Sequence, residues 1–361
     1  MKIGILTFHR AINYGAVLQC YALQQTLKQL GHEVKVINYQ QPRVERTDRM
    51  PFNENDKLNL LKGFHLRSWW NYDKDKTVVL ERRSHFDDFL SKHFTFTEPC
   101  TLETIPRDFD AYVIGSDQVW NSYICDGLDP VFWGNFKHRS NSKIISYAAS
   151  TSYKDITKFP KAEIENLLSN FYAISSREQE VVDYINKDLN VNSIAQVVLD
   201  PTLLANKEVW NGMLNDKYKD KKYVLYFAAR SYQPNPSLIK QKATALANEM
   251  GCEVMTIDFN KDTPEDFVSK FRYASAVVTS SFHGVAFSLI FNRTLFAIMY
   301  GDEQDKRYTN LFHLLGGEEL LVNINNKLVP PIIDYSRINE NLANWRDKSL
   351  NYIKQINDRS L

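Results

Sequence analysis

The chain has 361 residues, 43% hydrophobic and 24% charged, a globular profile long enough for two domains. Its 44 Lys+Arg offset 43 Asp+Glu, so the basic excess of a nucleic-acid binder is missing. The four cysteines, Cys20, Cys100, Cys125 and Cys252, are scattered without C-x-x-C spacing, which argues against a zinc site or a disulfide framework and fits a reducing compartment. No apolar run approaches the ~20 residues of a membrane span. A cytoplasmic protein is expected, with peripheral contact at the inner face of the membrane left open.

The opening alternates strand and helix signals. Residues 3–8 read as a strand, Gly15 as part of a loop, and Val17, Leu18, Tyr21, Ala22, Leu23, Leu27 and Leu30 recur at helical spacing up to Gly31. Residues 33–39 read as a second strand. Residues 41–85 are polar and basic around Trp69-Trp70 and are expected to form an excursion with one or two helices. Further strands are predicted over 109–114, 143–149, 171–175 and 196–199, with a helix over 178–185. The charged stretch 215–222 is taken as a domain boundary. A second series follows, with strands over 223–228, 253–257, 276–279 and 295–298, helices over 236–250 and 284–291, and a terminal helix over 337–358. The expectation is an α/β protein of two Rossmann-like domains with parallel sheets. They cover residues 1–210, with the excursion 41–85, and 220–335, and residues 336–361 form a C-terminal helix that packs back. No G-x-G-x-x-G implies a dinucleotide, and there is no P-loop or G-x-S-x-G elbow.

Several polar clusters fall where strands should end. Open parallel sheets bind ligands at those ends, so a cleft between the two halves is the expected site. His283 stands out. It follows a strand within Ser280-Ser281-Phe282-His283-Gly284 and precedes a helix of small residues. A helix N-terminus favours phosphate or carboxylate, the serines add hydroxyls, and an imidazole donates a proton or binds an anion. Capping or packing is the plain alternative. Arg177 and Arg230, also at predicted strand ends, suit bidentate anion contact, against a salt bridge or simple exposure. Asp117, after Gly115-Ser116, is a candidate base toward a sugar hydroxyl or a helix cap. Asn13, Tyr14 and Gly15 form a turn that brings backbone near a ligand or leads into the first helix. His9 lies one residue past the first strand and is placed facing the cleft. No His/Asp/Glu set has metal-ligand spacing.

Together these motifs resemble the polysaccharide pyruvyl transferase family. The resemblance rests on residues 8–23 (FHRAINYGAVLQCYAL), 114–121 (IGSDQVWN), Ser176-Arg177-Glu178, 199–204 (LDPTLL) and 279–284 (TSSFHG), and runs from residue 1 to about residue 315. It implies a fold similar to that of the GT-B glycosyltransferases. It also implies transfer of a pyruvyl group from phosphoenolpyruvate, a donor substrate rather than a cofactor, to two sugar hydroxyls of a polysaccharide or its precursor. The family's histidine falls on His283 and its arginine on Arg177. Many members carry an arginine two residues before the histidine, where this chain has Ser281.

On that reading His283, Asp117 and Arg177 are catalytic. Arg177, Arg230, Ser280, Ser281, His283 and Gly284 bind the donor. Asn13, Tyr14, Gly15, Ser116 and Asp117 bind a saccharide acceptor, lipid-linked or free. A GT-B-type glycosyltransferase using a nucleotide sugar is the rival, with Glu303 or Asp305 as its ribose contact. A non-enzymatic scaffold with Trp69-Trp70 as its partner surface is the other.

Overall fold

The computed structural model describes residues 1–45, 66–228, 236–331 and 333–357, with backbone only for 66–76, 236 and 304. The chain divides into two compact units. The first holds Met1–Val197 with Asp258–Pro264, and the second Val198–Ile257 with Glu265–Leu361.

The first unit is built on β1 (Lys2–Leu6), β2 (Glu33–Val36), β3 (Ala111–Ile114) and β4 (Lys143–Ser146), in spatial order β2-β1-β3-β4 and parallel throughout. A short parallel pair, β5 (Ser175–Ser176) and β6 (Gln196–Val197), continues the series, tied to β4 by a bridge from Ile145 to Ala173. Every residue of β3 is buried, as an unbroken apolar strand of a parallel sheet requires. Trp120 and Trp133, both 1% exposed, stack with ring centroids 4.8 Å apart in the core beside this sheet.

Helix Tyr14–Gln29 crosses from β1 to β2. Asn13 caps it, its Oδ1 accepting from the Ala16 amide, and Lys28 lies in its last turn. Gly15 was expected in a loop and lies instead inside this helix's first turn. Asn13 starts the helix there by satisfying an otherwise orphaned amide. Of the excursion, helix Leu66–His93 is described, and it runs well past residue 85.

The second unit has β7 (Tyr223–Phe227), β8 (Glu253–Thr256), β9 (Ala276–Thr279), β10 (Thr294–Met299) and β11 (Leu321–Asn323), ordered β8-β7-β9-β10-β11 and again parallel. Helices Pro236–Glu249, Pro264–Tyr273, Phe282–Ile290 and Lys306–Leu315 connect them, and helix Tyr335–Lys354 follows. The unit begins at Val198, before the charged stretch where the sequence places the boundary. The reason is packing. The Leu199 amide donates to Ser349 Oγ (3.0 Å) and Arg346 Nε to the Leu203 carbonyl (2.7 Å), which fixes residues 199–203 to the terminal helix. Residues 215–222 are a loop within this unit rather than a linker.

Cys20, Cys100 and Cys125 are buried free thiols. Burial pushes the Cys100 thiol up to about 11 and raises the other two, so none of the three is poised as a nucleophile. Among the described residues no helix is long and apolar enough to cross a membrane.

Candidate functional site

Both units share one topology. The chain lays its first strand, places the second on one side and the third on the other. The reversal leaves a crevice at the carboxyl ends of the first and third strands, the place where doubly wound sheets bind ligands. In the second unit those strands are β7 and β9, and β9 runs directly into Ser280, Ser281, Phe282 and His283.

The local chain is fixed by Thr279. Its hydroxyl donates to the Phe227 carbonyl at the end of β7 (2.7 Å) and accepts from the Ser281 amide (3.1 Å). Helix Phe282–Ile290 then begins two residues earlier than its small-residue pattern suggests, so His283 sits in its first turn rather than ahead of it. Gly284 allows this. A Cβ there would lie 2.3 Å from Thr279 Oγ1, so a side chain would push the helix off the sheet. Glycine at 284 is thus required for the close packing of the helix start against Thr279. Ser280 and Ser281 are buried, at 1% and 8% exposure.

His283 has a neighbour that the sequence reading gave no role. Its Nε2 is 4.0 Å from Asp200 Oδ2, and the Asp200 side chain is wholly buried. The other carboxylate oxygen, Oδ1, accepts from the Thr202 amide (2.9 Å) and hydroxyl (2.7 Å) as the cap of helix Pro201–Leu204. Asp200 is thus held with one oxygen committed to its own turn and the other toward the imidazole. An Asp-Pro-Thr at a strand end was the available signal, but it reads equally as a plain turn.

In the first unit the corresponding strands are β1 and β3. Thr7 Oγ1 donates to the Ser116 carbonyl (3.1 Å) and accepts from Gln19 Nε2 (2.9 Å), joining the two strand ends to the first helix. The Gly115–Ser116 peptide is cis, and Gly115 has φ +109. A Cβ at Gly115 would lie 2.5 Å from the Tyr147 carbonyl oxygen, so only glycine fits. Asp117 adopts φ +63, a left-handed conformation uncommon for a residue with a side chain. Its carbonyl holds that conformation by accepting from the Val119 (2.8 Å) and Ser150 (2.9 Å) amides.

Beside this loop lies a cavity of about 300 Å³, lined by Asn13, Asp117, Gln118, Arg43 and Tyr123 together with apolar residues that include Phe8 and Val44. Of the five acceptor candidates, Asn13 and Asp117 line it. Tyr14 is 3% exposed and its hydroxyl donates to the Asp262 carbonyl (2.8 Å). Gly15 is buried, and Ser116 is buried with its hydroxyl accepting from the Asp117 amide (2.7 Å). Of these three, Ser116 bonds within the loop itself, while Tyr14 and Gly15 belong to the first turn of the helix.

Arg177 follows β5 in the first unit, with its side chain 6% exposed and Nε 3.2 Å from Glu178 Oε1. The Glu178 carboxylate also accepts from Ser150 Oγ (2.6 Å) and Ser176 Oγ (2.9 Å), which anchors the arginine's partner. Arg230 lies outside the described residues, as do the side chains of Trp69 and Trp70. His9, expected to face a cleft, is 1% exposed inside the first unit. Its Nδ1 is 3.1 Å from the Thr7 carbonyl and its Nε2 3.3 Å from Asn38 Oδ1.

The two acidic residues named for a ribose contact lie in the turn between β10 and helix Lys306–Leu315. Asp305 Oδ2 accepts from the Tyr300 (2.8 Å) and Gly301 (2.7 Å) amides and Oδ1 from the Tyr308 hydroxyl, while Glu303 pairs with Lys306 (2.9 Å). Asp305 holds the loop after β10.

Residues 13–303 match the polysaccharide pyruvyl transferase family. The chain belongs to that family. Membership makes it an enzyme, a transferase of polysaccharide biosynthesis. No curated protein matches the chain. Among solved structures it is similar to a UDP-GlcNAc 2-epimerase from Neisseria meningitidis bound to UDP-GlcNAc, at 11% identity and TM-score 0.47, covering 99% of this chain and 94% of that one. The Streptomyces glycosyltransferase SsfS6 matches at 12% identity and TM-score 0.42, over 99% of this chain and 100% of that one. The spinosyn forosaminyltransferase SpnP matches at 13% identity and TM-score 0.39, over 99% and 95%. Likenesses this distant say nothing of the substrate of this family member.

Proposed function

We propose that the chain transfers a pyruvyl group from phosphoenolpyruvate to two hydroxyls of a saccharide, free or lipid-linked, in the cytoplasm, closing a cyclic ketal. The observation that carries this reading is His283. In a member of the pyruvyl transferase family, it stands at the strand-order reversal of the second unit, in the first turn of a helix and 4.0 Å from a buried carboxylate.

The roles follow from the chemistry. Phosphoenolpyruvate becomes electrophilic when its methylene carbon takes a proton, because the adjacent carbon then carries positive charge shared with its oxygen. His283 as imidazolium supplies that proton, and the Asp200 carboxylate beside it favours the charged form. One sugar hydroxyl attacks the cationic carbon and loses its proton, and the bond from that carbon to the phosphate oxygen breaks. A second hydroxyl of the same saccharide attacks in turn. Two hydroxyl protons are released in all. One balances the proton gained by the new methyl group and the other leaves with phosphate.

Asp117 is assigned to the attacking hydroxyl, and the chain around Asn13 and Asp117 to the acceptor. The donor carries a carboxylate and a phosphate, so it needs cations and amide donors. Ser281 stands where many relatives have arginine, so the charge falls to Arg177, with Arg230 as a second clamp. Ser280 and Ser281, at the helix start, are assigned to the donor as well.

The test is incubation with phosphoenolpyruvate and a set of oligosaccharides, with phosphate release and product mass as readouts. A saccharide gaining the mass of a pyruvate ketal, with equimolar phosphate, is the expected result. The His283→Ala variant should lose at least ~100-fold in rate, the usual contribution of a positioned acid. Full activity in that variant, or turnover only with a nucleotide sugar, overturns the assignment.

A further inference from the structure

The cavity in the first unit is lined by three polar side chains, each of which keeps a polar atom that the described residues do not bond. Asp117 Oδ1 accepts from the Gln118 amide (2.8 Å), and Oδ2 has no partner among the described residues. Gln118 Oε1 accepts from Asn121 Nδ2 (2.9 Å), which leaves both hydrogens on its Nε2 to donate. Asn13 Oδ1 accepts from the Ala16 amide (3.3 Å), which likewise leaves its Nδ2. One charged acceptor and two amide donors line the same cavity of about 300 Å³. The Arg43 guanidinium lines the cavity too and lies over the Tyr123 ring, and the remaining complement suits adjacent hydroxyls, each of which donates and accepts.

The cavity also has an aromatic wall. Tyr123 is 76% exposed, although large aromatic side chains usually bury most of their surface. It is exposed but not loosely held. The Arg43 guanidinium lies over its ring, 5.1 Å from the centroid, and donates to the Tyr123 backbone carbonyl. Below it, the amides of Tyr123 (3.0 Å) and Ile124 (3.3 Å) bind Asn121 Oδ1, and the Ser122 amide binds Asp155 Oδ2 (2.7 Å). Gln41 joins the two turns, its Nε2 donating to the Cys125 carbonyl (3.0 Å) and its Oε1 accepting from the Val44 amide (2.8 Å). The turn carrying Tyr123 is therefore fixed at both ends, and the ring is presented on it.

We propose that this cavity is a saccharide-ring subsite in which the apolar face of a pyranose stacks on Tyr123, while Asp117, Gln118 and Asn13 hydrogen-bond its hydroxyls. Pyranose rings present C–H groups on one face and hydroxyls around the rim, so an aromatic wall beside a mixed donor and acceptor set reads both. The inference rests on the acceptor reading above and adds to it the platform Tyr123, its brace Arg43 and the specificity contact Gln118.

The test uses the full chain, its Tyr123→Ala and Tyr123→Phe variants, and an array of galactoside, glucoside and N-acetylhexosamine oligosaccharides, followed by calorimetry with the best binder. Tyr123→Ala should weaken saccharide binding about tenfold, within the range of aromatic contacts. Tyr123→Phe should bind within about twofold of the parent, since the ring and not the hydroxyl does the stacking. In turnover, Tyr123→Ala should raise KM for the saccharide while KM for phosphoenolpyruvate stays unchanged. Equal binding by the parent and Tyr123→Ala, or no saccharide bound by the parent, overturns the subsite. Failure of the donor reading looks different. Saccharide binding would then still fall in Tyr123→Ala, but phosphoenolpyruvate would yield no product with any variant.

Discussion

Asp200 uses one carboxylate oxygen to cap its own turn and points the other at His283. Asn in its place keeps an oxygen for the Thr202 amide and removes only the charge, so Asp200→Asn isolates the effect on the imidazole. Without the carboxylate, the imidazolium that donates the proton loses its charged neighbour, and kcat at neutral pH should fall about tenfold or more. An unchanged kcat would leave Asp200 as a cap and nothing else. At this scale the sequence showed half of the pair. His283 was legible because a polar residue after an apolar strand and before a small-residue helix sits at a sheet's carboxyl edge. Asp200 was not, because Asp before Pro-Thr has a sufficient explanation as a cap, and its distance from His283 is set by tertiary packing. Tyr123 and Arg43 gave no signal at all. An exposed tyrosine in a four-residue helix has no periodicity to mark it.

The loops after the strands are where the elements become specific, and Asp155 shows what holds one of them. Its carboxylate accepts from the Ser122 amide (2.7 Å) and hydroxyl (2.8 Å), from Thr151 Oγ1 (3.1 Å) and from Lys158 (2.6 Å). Burial alone would raise this carboxyl, but the bonds from Lys158 and Ser122 outweigh it and hold it below the usual carboxylate range. A depressed folded value means stability that is present above the ordinary carboxylate value and is lost as pH falls through the folded one. Asp155→Asn should therefore cost about 1–3 kcal/mol near neutral pH, with the deficit against the parent closing below about pH 4. Chemical denaturation at both pH values measures it, and a deficit independent of pH would contradict the account. The same substitution should loosen the turn that presents Tyr123.

The strands were readable in the sequence because buried parallel strands are short apolar runs. Helices Pro264–Tyr273 and Lys306–Leu315 and strand β11 went unread. β11 has three half-exposed or exposed residues, too few to show a pattern. The two helices did carry a signal that was passed over: Tyr308, Leu311, Phe312 and Leu315 are buried at helical spacing among charged neighbours.

Across the whole chain, two units repeat one strand plan, and each puts its unusual residues at the point where strand order reverses. In the first these are Asn13, Asp117, Gln118 and Tyr123 around a cavity. In the second they are Asp200 and His283. The alternation of strand and helix signals predicted two α/β units. Their limits were beyond it, because Val198 joins the second unit through contacts with residues 346–349, some 150 positions later.

If the units divide the substrates, ligand effects on amide exchange should divide too. Phosphoenolpyruvate should slow exchange over residues 279–285, and over 175–178 if Arg177 holds an anion. A bound saccharide should slow exchange over 7–16 and 115–124 and leave 279–285 unchanged. A ligand present at 100 times its Kd stabilises the state that binds it by about 2.7 kcal/mol, a roughly hundredfold slowing for amides that exchange only when the site opens. Exchange measured by mass spectrometry resolves peptides of this length. Protection of 279–285 by a nucleotide sugar and not by phosphoenolpyruvate would move the chain to the other donor class. Saccharide protection confined to the second unit would place the acceptor away from Tyr123.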